Sequence, residues 1–207
     1  GFHGIAGSEN CCAMLSLRPR PPASALSKFG ESLLLTADWS SLRSSLAADR
    51  AKSQAAWAAA QELTEPIQDA LHFIRFGRLM EATCALTDAM STLARMPKEV
   101  LAPPPNRPAR ISELLEQLVR ARMHAHFFAS GALLMHASVG QPFEDSEYLG
   151  GAIGFAADLA GYGVKQATDG DIVSVEMARE LVDELNGELL QFDFRNGPLR
   201  RKYDSLK

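Results

Sequence analysis

From about Ser32 onward, apolar residues recur three and four positions apart, at Leu33, Leu34, Trp39, Leu42, Leu46, Trp57 and Leu63, in a background rich in alanine. That spacing is the period of one helix face, and alanine has the highest helix propensity, so the stretch predicts a long amphipathic helix. Pro66 has no N–H to donate and predicts a break or kink at its position. A second run, Ile67, Leu71, Ile74, Leu79, Leu86, Met90 and Leu93, ends before Pro97. The segment from Ala102 to Arg110 carries four prolines and reads as a stiff connection.

A third helix is predicted from near Ile111, with Ser112 as its cap, carrying Leu114, Leu115, Leu118, Val119 and Phe127 toward Ser130 and Gly131. Gly140 to Asp145 reads as a loop. The fourth helix, Glu147 to about Ala167, is dense in small residues (Gly150, Gly151, Ala152, Gly154, Ala156, Ala157, Ala160, Gly161). Such a face suits a central helix that packs closely on its neighbours, at some cost in propensity. Thr168 to Asp171 reads as a turn, a fifth helix covers Val175 to about Leu190, and a last one starts near Pro198, where proline fits the first helical turn. No stretch alternates apolar and polar residues convincingly, so the pattern predicts an all-α protein, a bundle of about six or seven long helices. Residues 1–25, with the string LRPRPP and no sustained period, predict a disordered leader, leaving 26–207 as a single helical domain.

At 207 residues, 46% hydrophobic and 22% charged with a formal net charge of −4, the composition is that of a globular protein and excludes a purely basic nucleic-acid binder. Three cysteines, Cys11, Cys12 and Cys84, cannot close a disulfide framework, and no secretory signal pattern opens the chain. Free thiols in a reducing interior compartment are therefore expected. The chain begins with Gly1 and not Met, as a processed chain or a fragment would. Its longest weakly polar run, Tyr148 to Ala157, falls far short of the roughly 20 residues that span a bilayer, so no membrane partner is expected.

Charge distribution changes the picture more than the total does. Glu144 to Glu188 holds 11 acidic and 2 basic residues, whereas Arg195 to Lys207 holds 5 basic and 1 acidic. A second basic cluster comprises Arg107, Arg110, Arg120 and Arg122, joined by His124 and His126. Positive clusters track a phosphate backbone with salt-sensitive affinity; the same arginines equally suit solvated helix faces or pairs with carboxylates. His124 and His126 lie two apart, roughly 200° around a helix, so one ion does not easily take both and zinc is not expected. His124 does sit one turn beyond Arg120 on the same face. His136 and Cys84 have no partner at chelating spacing. Among carboxylates, Glu113 and Glu116 are three apart on one helix and Asp158 stands in an apolar stretch of another. Together they are candidate ligands for a divalent cation in a nuclease; alone, each suits a structural hydrogen bond. Gly150, Gly151 and Gly154 are not a phosphate loop, since no strand precedes them and no Lys-Ser/Thr follows.

Three strings in the C-terminal part carry a resemblance: Tyr148-Leu149-Gly150-Gly151, Asp169-Gly170-Asp171, and Asn196 through Lys207, which contains LRRKYDSLK. Together they resemble the translin/Trax family over about 60 residues, with Phe127 to Leu134 extending the match upstream; the ending is similar to translin rather than Trax. The resemblance implies seven-helix subunits that assemble into hollow octamers and bind single-stranded RNA and DNA in cytoplasm and nucleus. With Trax-like subunits they form an endoribonuclease of RNA processing. It also implies that the terminal helix continues past Lys207. Trax supplies three catalytic carboxylates, and the matched positions here are Gln117, Arg120 and Gly154, none acidic. Glu113 and Glu116 fit that role only if the helix shifts by about one turn. Arg122-Met123-His124-Ala125-His126 looks like the Arg-x-His-x-His string among translin's nucleic-acid contacts, and Gly161 stands where the family usually has arginine.

The residues and the resemblance together give the expectation of a catalytically silent, nucleic-acid-binding subunit. Its contacts would come from Arg120, Arg122, His124, His126, Arg200, Arg201 and Lys202, and it would need no cofactor. The alternatives are a Mg²⁺-dependent endoribonuclease using Glu113, Glu116 and Asp158, and a helical scaffold that binds only protein.

Overall fold

A computed structural model describes residues 36–195 and 197–206; the leader assigned to residues 1–25 lies outside them, as do Asn196 and Lys207. Among the described residues there are seven helices and no strand: α1 (Thr36–Arg75), α2 (Leu79–Arg95), α3 (Ala109–Ser130), α4 (His136–Val139), α5 (Asp145–Asp169), α6 (Ile172–Leu189) and α7 (Pro198–Leu206). The all-α expectation holds, although α4 is a single turn that periodicity does not register and α7 is also short. The chain divides into two compact units, Gly1–Asp49 and Arg50–Lys207. In the first, the described residues form the opening turns of α1, where Trp39, Leu42 and Leu46 are exposed. The second unit contains the buried core.

Of the break or kink expected at Pro66, the break does not occur: α1 runs through it. A proline inside a helix costs about 3 kcal/mol through its lost hydrogen bond and ring clash. Leu63, Ile67 and Ala70 around it are wholly buried, and each large apolar side chain so buried contributes about 1.5–3 kcal/mol. Tertiary burial therefore outweighs the local penalty. The break falls instead at Gly77, whose φ of +70° only glycine adopts freely. There Gly77 N donates to Ile74 O at 3.0 Å and Arg78 N donates to Phe73 O at 2.9 Å, the paired bonds that close a helix through a left-handed residue.

The other helix ends follow local chemistry. Pro108, extended at φ −60° and ψ 133°, precedes α3, which starts at Ala109; Ser112 lies inside the first turn and is not the cap. Gly131 and Gly170, both left-handed, close α3 and α5. Asp171 then caps α6 by accepting from Ser174 N at 3.1 Å, so that helix begins at Ile172, ahead of the expected Val175. Glu144 and Glu147 cap α5 reciprocally, moving its start to Asp145. Glu147 is itself buried and receives both carboxylate contacts from Arg107 Nη1, at 2.5 Å each. Arg107 further donates to the carbonyls of Leu101, Ala102 and Pro142. It is a buried clamp that ties the proline-rich connection to the α5 start, and so leaves the basic cluster to which the sequence assigned it.

Helix α5 is central, packing on α3, α6 and α7. Its glycines allow this. A Cβ at Gly151 would lie 2.6 Å from Val119 Cγ1 and 3.1 Å from the Arg120 backbone nitrogen, and one at Gly154 would lie 2.8 Å from Arg120 Cδ. The main core runs through α1, α2, α3 and α5; a smaller cluster of Ile153, Leu189, Phe194 and Tyr203 seats α7 against α5. Tyr203 Oη donates to Asn186 Oδ1 at 2.9 Å and fixes the rotation of α7.

The glycines of α5 respond oppositely to one substitution. Gly151→Ala forces α3 and α5 apart and lowers stability by about 1–3 kcal/mol. At Gly161 an added methyl would meet nothing within 4 Å, and Gly161→Ala gains about 0.5–1 kcal/mol by removing backbone freedom from the unfolded chain. Urea unfolding of the two variants checks both signs.

Candidate nucleic-acid interface

Helical geometry divides the basic cluster read along α3. Arg120 and His124, one turn apart, both face Asp158 of α5. Arg120 Nε and Nη2 donate to Asp158 Oδ2 and Oδ1, each at 2.5 Å, and His124 Nε2 lies 2.8 Å from Oδ2. Arg122, two positions on, points elsewhere: it donates to the carbonyls of Val139 and Ser138, and its guanidinium lies 5.5 Å from the Phe143 ring. His126 is half-buried, away from Arg120. The seven candidate contacts are therefore not one patch.

Asp158 is the centre of this arrangement. Burial pushes its carboxyl up, but the hydrogen bonds from His124 and Arg120 and the Arg120 charge outweigh that and hold it below the usual carboxylate range. His124 is 5% exposed, stacks edge-on against Phe155 at 4.6 Å, and its Nδ1 has no partner among the described residues. Arg120 keeps 30% of its side chain exposed, and its Nη1 makes no hydrogen bond to a described residue.

Beside this pair, α3, α5 and α7 enclose a groove of about 400 Å³, lined in part by Glu113, Glu116, Gln117, Arg120, Gly154 and Lys202. The three positions matched to the Trax carboxylates, two on α3 and one on α5, thus line the same groove. Lys202 of α7 crosses the groove to pair with Glu116; burial raises the Glu116 carboxyl, and the Lys202 contact opposes that without cancelling it. Glu113 is exposed and pairs with Arg110 at 3.4 Å, while Gln117 Oε1 accepts from Gln68 Nε2 at 3.0 Å. Each of the three candidate nuclease carboxylates thus already faces a cation, and among the described residues no group of three or more His, Cys, Asp and Glu is placed to hold a metal ion.

The basic end of the chain is more open. Tyr203 and Leu199 face inward on α7, leaving Arg200 and Arg201 exposed on the other side. Arg200 pairs with Asp204 at 3.0 Å across one exposed turn, which contributes little in water. Arg201 makes no ion pair with a described residue. Sequence reasoning named Arg120, Arg200 and Arg201 as candidates, and each keeps some of its side chain exposed; it missed the Arg107 clamp and the Lys202–Glu116 pair. The pair joins residues 86 apart, and nothing local marks it.

Among solved structures, the chain is similar to AfC3PO in complex with duplex RNA, with a TM-score of 0.68 and 18% identity over 82% of this chain and 88% of that one. It is similar to AfC3PO alone, at a TM-score of 0.67 and 18% identity over 82% and 89% of the two chains. Against apo-NeC3PO the TM-score is 0.57 and the identity 18%, covering 84% and 91%. No family profile and no curated protein sequence matches the chain. The chain has the helical fold of these C3PO structures.

Asp158→Asn should lower stability at pH 7 by about 2 kcal/mol, the scale of hydrogen bonds to a charged group. A carboxylate whose folded pKa is depressed contributes stability that is present above its unfolded pKa and lost as pH falls through the folded value. The gap between wild type and variant should therefore close as pH drops from about 4 toward 2, while Glu116, common to both proteins, cancels. Chemical unfolding across that range checks it; a gap that does not change with pH contradicts the pairing.

Proposed function

We propose that this chain is a translin-type subunit that binds single-stranded RNA or DNA within a helical oligomer, beside a partner subunit that bears the cleavage carboxylates. The observation that carries the nucleic-acid part of the reading is the fold it shares, over most of its length, with a protein solved in complex with duplex RNA; the choice of single strands rests on the resemblance to translin. The string from Asn196 to Lys207, which resembles translin, supports it independently. The exposed Trp57, Val164, Ile172 and Val173 are apolar surface of the kind that subunit contacts cover.

Phosphate oxygens are met first by Arg200 and Arg201, whose guanidinium groups stay charged at any working pH and present forked donors. Arg120 adds the Nη1 that Asp158 leaves free. Arg122 and His124 position α3 against α4 and α5, and Lys202 holds α7 in place through Glu116. The subunit is silent in cleavage because Gln117, Arg120 and Gly154 offer no anionic ligand, and a guanidinium among them repels a divalent cation instead of holding it.

Arg200→Ala with Arg201→Ala should weaken binding to every single-stranded sequence about equally and reduce the slope of log affinity against log salt by about 0.7 per contact removed. Titration of fluorescent single-stranded and duplex oligonucleotides at several salt concentrations measures this, and an unchanged slope overturns the assignment of α7. The purified chain with millimolar Mg²⁺ should leave single-stranded RNA intact. Robust cleavage that disappears in Glu113→Ala, Glu116→Ala and Asp158→Ala would replace the silent subunit with a nuclease.

A further inference from the structure

The corner between α1 and α2 exposes an aromatic ring among cations. Phe76 is 65% exposed, an unfavourable place for a large apolar ring unless something covers it. The His72 ring lies against it, with centroids 4.8 Å apart. The left-handed Gly77 follows directly and turns the chain so that Phe76 caps the end of α1. From Ala70 to Met80 there are two arginines and a histidine but no acidic residue. Arg78 is anchored: its guanidinium sits over the Phe73 ring at 4.6 Å and pairs with Glu81 at 2.9 Å. Arg75 is exposed and makes no ion pair with a described residue.

We propose that this corner is a second nucleic-acid contact, at which an unpaired base stacks on the Phe76 ring and Arg75 holds a neighbouring phosphate. A solvent-exposed ring with an exposed guanidinium at the adjacent position along the chain suits a single strand held without reading sequence, because every base has a π-face and every nucleotide a charge. The charge selects this occupant over an apolar protein segment, which would gain nothing from Arg75. A duplex keeps its bases stacked on one another and cannot offer one to the ring, so the corner favours single strands over duplex. Asp69, two turns before Phe76 along the same face, sets the limit of the cationic surface. The proposal rests on the nucleic-acid-binding reading above and adds a site to it.

The test uses a short single-stranded oligonucleotide containing 2-aminopurine, whose fluorescence reports stacking, and a duplex of matching length. With wild-type protein the single strand should bind with a change in 2-aminopurine emission. Phe76→Ala should abolish that change and weaken single-strand affinity about tenfold, within the range measured for losing one stacked base. Phe76→Tyr should restore both readouts, Phe76→Leu should restore neither, and duplex affinity should stay within about twofold throughout. Equal binding and emission in wild type and Phe76→Ala overturns the corner, as does full rescue by Phe76→Leu, which would mean that apolar bulk and not a ring is needed. If wild type binds no nucleic acid at all, the functional reading fails along with it. If wild type binds with the salt response carried by Arg200 and Arg201 while the Phe76 series is flat, only the corner fails.

Discussion

The backbones of α3 and α5 approach so closely at Gly151 that a side chain there would meet Val119 and the Arg120 backbone, and at Gly150 and Gly154 the Glu116 and Arg120 side chains fill the space a Cβ would take; much else in the molecule follows from that distance. With a methyl at Gly151 the Val119 side chain and the Arg120 backbone would have to move. Because they need not, Arg120 lies flat across Gly154 and reaches Asp158 with both ends of its fork, and His124 reaches the same carboxylate from the next turn. Close packing thus brings a half-buried ion pair into register, and the pair in turn fixes the rotation of α3. The glycines cost helix propensity, which the buried faces of α3 and α5 offset.

The same pair decides what the neighbouring groove can do. A carboxylate that accepts from a guanidinium and an imidazole has few lone pairs left for a metal, and its negative charge is already compensated. Glu116 is matched in the same way by Lys202 from α7. Where the resemblance puts anionic ligands, this chain has an amide, a guanidinium and a bare backbone. Such a wall suits a phosphate oxygen better than a divalent cation. Seating α7 through Tyr203 carries the consequence outward, since the rotation that brings Lys202 to Glu116 also turns Arg200 and Arg201 to solvent.

Much of the fold was legible because helix boundaries are local events. Gly131, Gly170 and Pro198 mark ends and starts through their own backbone preferences, and the small residues of α5 announce a central helix, whereas Asp171 read as part of a turn and its capping of α6 was not foreseen. Pro66 misled because a local penalty is visible in sequence while the burial of Leu63 and Ile67 that outweighs it is not. The candidate site was legible only in part. Periodicity tells which side chains share a face, so Arg120 with His124 was readable, and so was the opposite direction of Arg122 and His126. It does not tell what lies across from them, and the partners of Arg107, Arg120 and Lys202 lie 38 to 86 residues away. A cluster of basic letters therefore resolved into a buried clamp, a helix-to-helix lock and a few open arginines. The exposure of Phe76 was hidden for the same reason, since its spacing of three from the half-buried Phe73 does not tell what covers that face.

The most direct test of a cationic surface centred on α7 is to map where nucleic acid touches the chain. Photo-crosslinking of a 4-thiouridine-substituted single-stranded RNA, followed by mass spectrometry of the crosslinked peptides, gives that map. Crosslinked peptides should come from α7 and from the α3 wall that carries Arg120. Crosslinks confined to the acidic, exposed face of α6, at Glu176, Glu180, Asp183 and Glu184, would contradict it.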